Sequence, residues 1–326
     1  MGSYSMSEIK VLHIAPTPLV GAPGKIACAQ RMKGYDASAV ALSDYPKGGA
    51  LEKIFIDQTL IFDEFMRSSI EDNVRRADVI HIHNYLPDDK ITWLRDLNQT
   101  ANYFYQAHSP LREGPLYWAR AEGEVPFEFK AKLVVGQYLG RIYPSYIPVP
   151  NLILFSPSIR LRQPGEKLRV IFSPTHKQAG RWNSKHSSRL DSVLESLECL
   201  GKIEVVAPQN PVSPAALMAL RRGCHVSIDE IATGAFHMVS LEGLCAGNIV
   251  INRADYFSKS IFSGFCEGQM PPFKYADDEC IGKILLDLAD DWKLTADLQK
   301  KSFEYFERYC EPLRLLKIFD AAYEIL

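Results

Sequence analysis

Glu242 is the carboxylate best placed to do chemistry in this chain. It lies within Cys224–Arg253, CHVSIDEIATGAFHMVSLEGLCAGNIVINR, which reads as a strand (HVSI), a loop, a short helix and a second strand (NIVI). A carboxylate near the start of a helix between two parallel strands suits a nucleotide. The helix N-terminus offers free N–H groups to phosphates, and the carboxylate can accept both hydroxyls of a ribose. A solvent-facing glutamate on an ordinary crossover helix is the plain alternative on spacing alone.

Histidines form the second set of candidates. His81 and His83 alternate with isoleucines in VIHIH, so both point to one face, with His83 nearer the strand end and His81 the more structural of the two. His108, in QAHSP, follows another strand-like run. A His-x-His pair could bind zinc, but no third ligand stands at a compatible spacing, so no metal site is expected. Gly21, Gly24 and Lys25, in PLVGAPGKI, read as a loop where small residues let a backbone approach a ligand. That loop spells neither a Walker motif nor Gly-x-Gly-x-x-Gly, and no Gly-x-Ser-x-Gly elbow occurs.

The elements that must position these groups alternate. Lys10–Ala15, Ala37–Leu42, Val79–His83, Tyr103–Ala107 and Lys132–Val135 read as strands, with helices over Leu51–Arg76 and around Ile91–Leu97. Tyr143–Pro150 (YPSYIPVP) has enough proline to stop regular structure, and marks a crossover or boundary. A second series follows: a strand at Arg169–Phe172, a helix over Ser187–Leu200, a strand at Ile203–Val206 and a helix over Pro214–Arg221 with Ser213 as its cap. The segment around Glu242 comes next, and Glu279–Leu326 is helical in pattern.

Short strands alternating with helices predict an α/β fold with parallel sheets. Two series predict two Rossmann-like domains, residues 1–150 and 151–326, with the C-terminal helices free to pack back on the first. Ligands are expected at the carboxyl ends of the strands, in a cleft between the domains.

At 326 residues the chain is long enough for two cores, and 47% hydrophobic residues can fill them. A net charge of -2 gives no footprint for nucleic acid. No apolar run reaches the length of a membrane span. The start, MGSYSM, reads as an expression remnant before a native Met6, without a signal-peptide pattern. The 7 cysteines form no Cys-x-x-Cys pair and read as small hydrophobes of a reducing compartment. Together these place the protein in the cytoplasm, or at the inner face of a membrane.

The segment Cys224–Ile251 resembles the nucleotide-sugar-binding region of retaining GT-B glycosyltransferases of the "glycosyl transferase group 1" class. Asp229, Gly234, Glu242, Gly247 and the Ile249–Ile251 strand occupy the positions of that pattern, and Ser173-Pro174-Thr175-His176-Lys177 with Lys185-His186-Ser187 is similar to its strand end and helix start. HIAPTPLVGAPGKIA is similar to its N-terminal strand and glycine loop. The resemblance implies a metal-independent transferase with no cofactor, taking a UDP- or GDP-sugar as donor and a glycan or lipid-linked molecule as acceptor, in polysaccharide or glycoconjugate assembly. It implies Glu242 on the ribose, with Asp229, Gly234 and His237 around the donor. Lys177, Arg181 and Lys185 would neutralise the departing diphosphate, and His108 would touch the transferred sugar. Eight positions before Glu242, where the family carries another glutamate, stands Gly234, which leaves sugar contacts and stereochemistry open. A nucleotide-sugar epimerase-like enzyme, a DNA-modifying glycosyltransferase and a non-catalytic GT-B-like binding protein remain alternatives.

Overall fold

The computed structural model describes residues 9–44, 59–108, 128–137, 141–173, 187–208 and 212–323. The chain divides into two compact units, Met1–Leu154 with Pro312–Leu326, and Phe155–Glu311.

The first unit is built on a seven-stranded sheet: β1 (Lys10–Ala15), β2 (Asp36–Ala41), β3 (Leu60–Ile61), β4 (Val79–His83), β5 (Asn102–Ala107), β6 (Phe129–Val135) and β7 (Ile147–Val149). The order is β3-β2-β1-β4-β5-β6-β7, and every pair is parallel. The chain winds outward from β1 to β3, then returns to lay β4 on the other side of β1. That reversal puts the switch point at the carboxyl ends of β1 and β4.

Alternation decides what each face buries. Leu12, Ile14, Ile80 and Ile82 pack with Ile70 and Val74 of α2 (Arg67–Arg76) and Ile91 and Leu94 of α3 (Asp88–Leu97). The opposite face, carrying His13, His81 and Phe104, lies under α1 (Ala22–Lys33) and α10 (Pro312–Ala322). Asp320 of α10 accepts from Tyr35 Oη at 2.8 Å and pairs with Lys33, fastening α10 to α1.

The second unit has a five-stranded parallel sheet of β8 (Leu168–Phe172), β9 (Ile203–Val206), β10 (Val226–Ile228), β11 (Ile249–Asn252) and β12 (Lys274–Tyr275), ordered β12-β11-β10-β8-β9. Its switch point lies between β8 and β10. Leu168, Val170, Val226, Ile228, Ile249 and Ile251 pack on Leu190, Leu194 and Leu197 of α4 (Ser188–Cys199) and on Ile281, Leu285 and Leu288 of α8 (Ile281–Asp290). The opposite face carries α5 (Pro214–Arg222) and α6 (Met238–Cys245), with α9 (Trp292–Tyr309) packed on α6 and β11. Ser213 accepts the Ala216 N–H at 3.1 Å and Ser187 the Leu190 N–H at 3.1 Å, each satisfying a donor that the helix start leaves open.

Two expectations fail locally, and one helix was not anticipated. Within Leu51–Arg76 only Arg67–Arg76 is a described helix, Leu60–Ile61 is a strand, and residues 45–58 lie outside the described residues. Spacing of apolar residues cannot tell a short edge strand from a helical turn. Tyr143–Pro150 contains β7, because an edge strand tolerates Pro148 without the donor that proline lacks. A helix, α7 (Tyr256–Phe265), follows β11, opened by Asp255 accepting the Ser258 N–H at 2.9 Å.

Candidate functional site

Around the second switch point, charged groups are buried together. Helix α6 lies close against β10 and β11 because position 243 is glycine. A Cβ there would come 2.9 Å from Val250 Cγ2 and 3.0 Å from Ser227 Cβ. This approach brings Glu242, whose side chain is 14% exposed, to Arg221 at the end of α5, which is fully buried. Arg221 donates through Nε to Glu242 Oε2 at 3.1 Å, and through Nη1 to Ser227 Oγ at 2.7 Å. Its Nη2 reaches Ser173 Oγ at 3.4 Å, just past β8. One buried guanidinium therefore ties β8, β10 and α6 together and fixes the carboxylate. An ionised carboxylate has about four acceptor positions, so Glu242 keeps capacity for a ligand's hydroxyls.

Asp229, at the end of β10, organises the start of α6. Its Oδ2 accepts the His237 N–H at 2.6 Å and the Ser240 hydroxyl at 2.7 Å, while Oδ1 lies 3.3 Å from His237 Nδ1. Burial alone would raise this carboxyl, but His237 and the converging donors hold it below the usual carboxylate range. Asn252 donates to Ser240 Oγ at 2.9 Å and extends the network to β11.

The first switch point holds rings instead of charges. His13 of β1 stands in register with His81 of β4, and the two centroids lie 5.1 Å apart. His81 and His83 stack at 4.2 Å. A chain of contacts runs from Gln30 Oε1 to His13 Nε2 (2.8 Å), from His13 Nδ1 to His83 Nε2 (2.9 Å), and from His83 Nδ1 to His108 Nε2 (2.8 Å). His81 Nδ1 meets Tyr323 Oη at 2.6 Å. With Gln30 Oε1 as acceptor, His13 carries its proton on Nε2, His83 on Nε2 and His108 on Nε2, so His108 Nδ1 presents a lone pair. Burial lowers all four rings, His13 to about 4 and His108 to about 3, with His81 and His83 well below the ordinary value. The cluster is neutral at neutral pH.

No family model matches the sequence, and no curated protein matches it. Among solved structures, the chain is similar to Anabaena Alr3699/HepE in complex with UDP-glucose, at 11% identity and a TM-score of 0.62, covering 98% of this chain and 100% of that one. A glycosyltransferase from Rickettsia africae matches at 10% identity and a TM-score of 0.55, over 97% and 98% of the two chains. The N-terminal domain of Candida albicans trehalose-6-phosphate phosphatase matches at 10% identity and a TM-score of 0.53, over 99% and 97%. The fold is GT-B.

On this GT-B frame the expected site residues fall into separate groups. Asp229 and His237 come together at the start of α6, and Glu242 stands a turn further along the same helix, on Arg221. Gly234 stands apart from the helix start, with φ +82°, and its carbonyl accepts from the Asp255 N–H and Ser258 Oγ, both at 3.1 Å. A Cβ there would sit 3.4 Å from Asp255 Oδ2 in a backbone conformation that L side chains rarely adopt. Glycine at 234 is thus a backbone requirement, and a glutamate would be both strained and set against a like charge. The nearby Glu230 is spent locally, accepting from Ala232 N, Thr233 N and Thr233 Oγ1 at 2.7–2.9 Å. The N–H of His237 is taken by Asp229. That leaves Met238 and Val239 as the donors nearest the helix start.

In the first unit, His108 joins the histidine chain. Gly24 and Lys25, expected in an open loop, lie buried in the first turns of α1. Gly21 is its N-cap, at φ +76°, and Lys25 Nζ donates to Val20 O at 3.3 Å. Leu19 and Val20 also have positive φ, so three consecutive left-handed residues close the turn after β1. Lys177, Arg181 and Lys185 lie outside the described residues.

Arg221 and His13 escaped the sequence reading. A basic residue ending a helix looks like a solvated partner of the helix dipole. The available signal was Met218, three residues earlier and also buried, which puts Arg221 on the inward face. His13 needed the parallel pairing of KVLHIA with VIHIH, since only that register sets it beside His81.

Proposed function

We propose that this chain is a glycosyltransferase that moves a sugar from a UDP- or GDP-sugar to a glycan or lipid-linked acceptor. The observation that carries this reading is Glu242, held by buried Arg221 beside the start of α6 at the switch point of a nucleotide-binding type of sheet. The fold's likeness to a protein solved with UDP-glucose supports it.

Glu242 accepts the ribose hydroxyls, while the Met238 and Val239 N–H groups and the helix dipole favour the diphosphate. Asp229 positions that helix end and His237. Lys177, Arg181 and Lys185 stabilise the charge that develops on the leaving diphosphate, which removes the need for a metal ion at that point. The first unit takes the acceptor. His108 Nδ1, with its lone pair set by the buried chain behind it, faces the transferred sugar. Gly21, Gly24 and Lys25 shape the turn after β1 rather than grip a ligand. Transfer with retained configuration for polysaccharide assembly is what the family resemblance implies, and the scattered cysteines suit the cytoplasm or the inner face of a membrane.

A thermal-shift series with UDP-glucose, GDP-mannose and the free nucleotides tests the reading. A ligand at about 100-fold its Kd stabilises the folded form by about 2.7 kcal/mol, a rise of several degrees. Glu242→Gln keeps the shape and should abolish most of that rise. If no nucleotide shifts the melting temperature, or the Gln variant responds like the parent, the reading fails.

A further inference from the structure

We propose that His13, His81 and His83 form a binding site for a late first-row divalent metal ion of the zinc class. The site lies within the first unit and does not depend on the transferase reading: a chain that binds no nucleotide can still hold the ion.

One ring nitrogen from each of the three histidines falls within 4.8 Å of the other two, and all three side chains are fully buried. Metal-bound imidazoles hold the ion through one nitrogen while the other is fixed by an outer partner. That division is already present here. His13 Nε2 is held by Gln30, His81 Nδ1 by Tyr323 and His83 Nδ1 by His108. The nitrogens left for an ion are His13 Nδ1, His83 Nε2 and His81 Nε2. The first two share one proton at 2.9 Å, and His81 Nε2, fully buried, has no hydrogen-bond partner among the described residues. An unsatisfied buried nitrogen costs stability, and three inward nitrogens cannot all be paired by a single shared proton. A cation bonded to all three would satisfy them together.

The donor set also selects the ion. Three imidazoles without a carboxylate suit zinc, cobalt, nickel or copper and disfavour magnesium or calcium, which take oxygen ligands. Bonds of about 2.0–2.1 Å in a tetrahedron place ligand atoms about 3.4 Å apart. The 2.9 Å pair would open slightly, a pair as wide as 4.8 Å would close by about 1.4 Å, and the stacked His81 and His83 rings would turn so that their in-plane lone pairs converge on the ion. A water completes the fourth position, as in open three-nitrogen sites.

With His81 Nδ1 donating to Tyr323 Oη, its Nε2 presents a lone pair and loses no proton, so with water as the fourth ligand loading rearranges protons without net release. The Nε2 proton of His83 leaves to solvent, and the proton on His108 Nε2 crosses to His83 Nδ1. One proton from solvent then arrives at His108 Nδ1. The ion would therefore turn His108 Nδ1 from an acceptor into a donor, coupling the buried site to the ring proposed to face the sugar.

The test uses the full chain, stripped with a chelator and titrated with Co2+ and then Zn2+, with Cys199→Ser to remove the exposed thiol. The expected result is one equivalent of Co2+ with the visible absorption of a low-symmetry nitrogen site, displaced by one equivalent of Zn2+. His81→Phe should abolish both. Should that variant fail to fold, Tyr323→Phe preserves the shape while removing the outer hold on His81, and affinity should fall about 10–100-fold. Absence of stoichiometric binding, or unchanged affinity in Tyr323→Phe, overturns the proposal.

Discussion

The two sheets place their polar groups alike and fill them differently. Each buries a polar network beside its switch point, β1/β4 in the first unit and β8/β10 in the second. The second network is ionic, with Arg221 and Glu242 in contact and Asp229 ionised among donors. The first is a set of neutral rings whose protonation burial suppresses. A charged network holds its geometry through Coulomb attraction that low dielectric strengthens. A neutral one holds it only through directional hydrogen bonds, so its donors and acceptors can exchange roles at little cost. The second unit is therefore suited to a fixed charge pattern, and the first to movement of protons.

Acid should separate the two most sharply. The folded-state values of the four clustered histidines lie below the unfolded value of 6.5, so the unfolded chain binds more protons as pH falls. Their contribution is complete above that value and is lost on descent towards about 4 for His13 and about 3 for His108. At about pH 5, His13 and His108 each cost about 2 kcal/mol. Hydrogen exchange on the metal-free chain should show β1 and β4 losing protection before β8 and β10, where His225 is the one histidine lowered by burial among the described residues. Simultaneous loss in both sheets would break the contrast.

Arg221→Met should come next, at about 3 kcal/mol in chemical denaturation, because it strands the Glu242 carboxylate. Adding Glu242→Gln should recover much of that loss, and additivity of the two changes would show that the pair is not coupled. Gly243→Ala should cost about 2 kcal/mol by pushing α6 off β10 and β11, and should weaken nucleotide binding with it. Unchanged stability would mean the helix yields without strain. Smallest is Tyr323→Phe in the metal-free chain, at about 1 kcal/mol for a neutral hydrogen bond. A loss as large as that of Arg221→Met would remove the distinction between the networks.

Much of the fold was legible because period and punctuation are local. KVLHIA, VIHIH and IEVV are strands at the residues expected, and Ser213 caps α5 as its spacing indicates. What stayed hidden depends on distant partners. Leu60–Ile61 becomes a strand only because β2 offers it an edge, and Pro148 is tolerated only because β7 lies at the sheet's margin. Glu242 could be singled out from its helix and strands, whereas the arginine that fixes it lies 21 residues earlier on another helix. The position of Gly234 was visible as a departure from a pattern. Its cause, a left-handed backbone beside Asp255, was not.

The attachment of α10 has a consequence for biosynthesis. The helix that covers the histidine face of the first sheet is translated only after all of Phe155–Glu311. While the ribosome makes the second unit, the histidine face of the first sheet would have α1 but not α10 over it, with His81 lacking Tyr323 and Lys33 lacking Asp320. The first unit therefore cannot mature before the second has emerged. Its exposed rings and sheet face are the surface a chaperone would meet on the nascent chain.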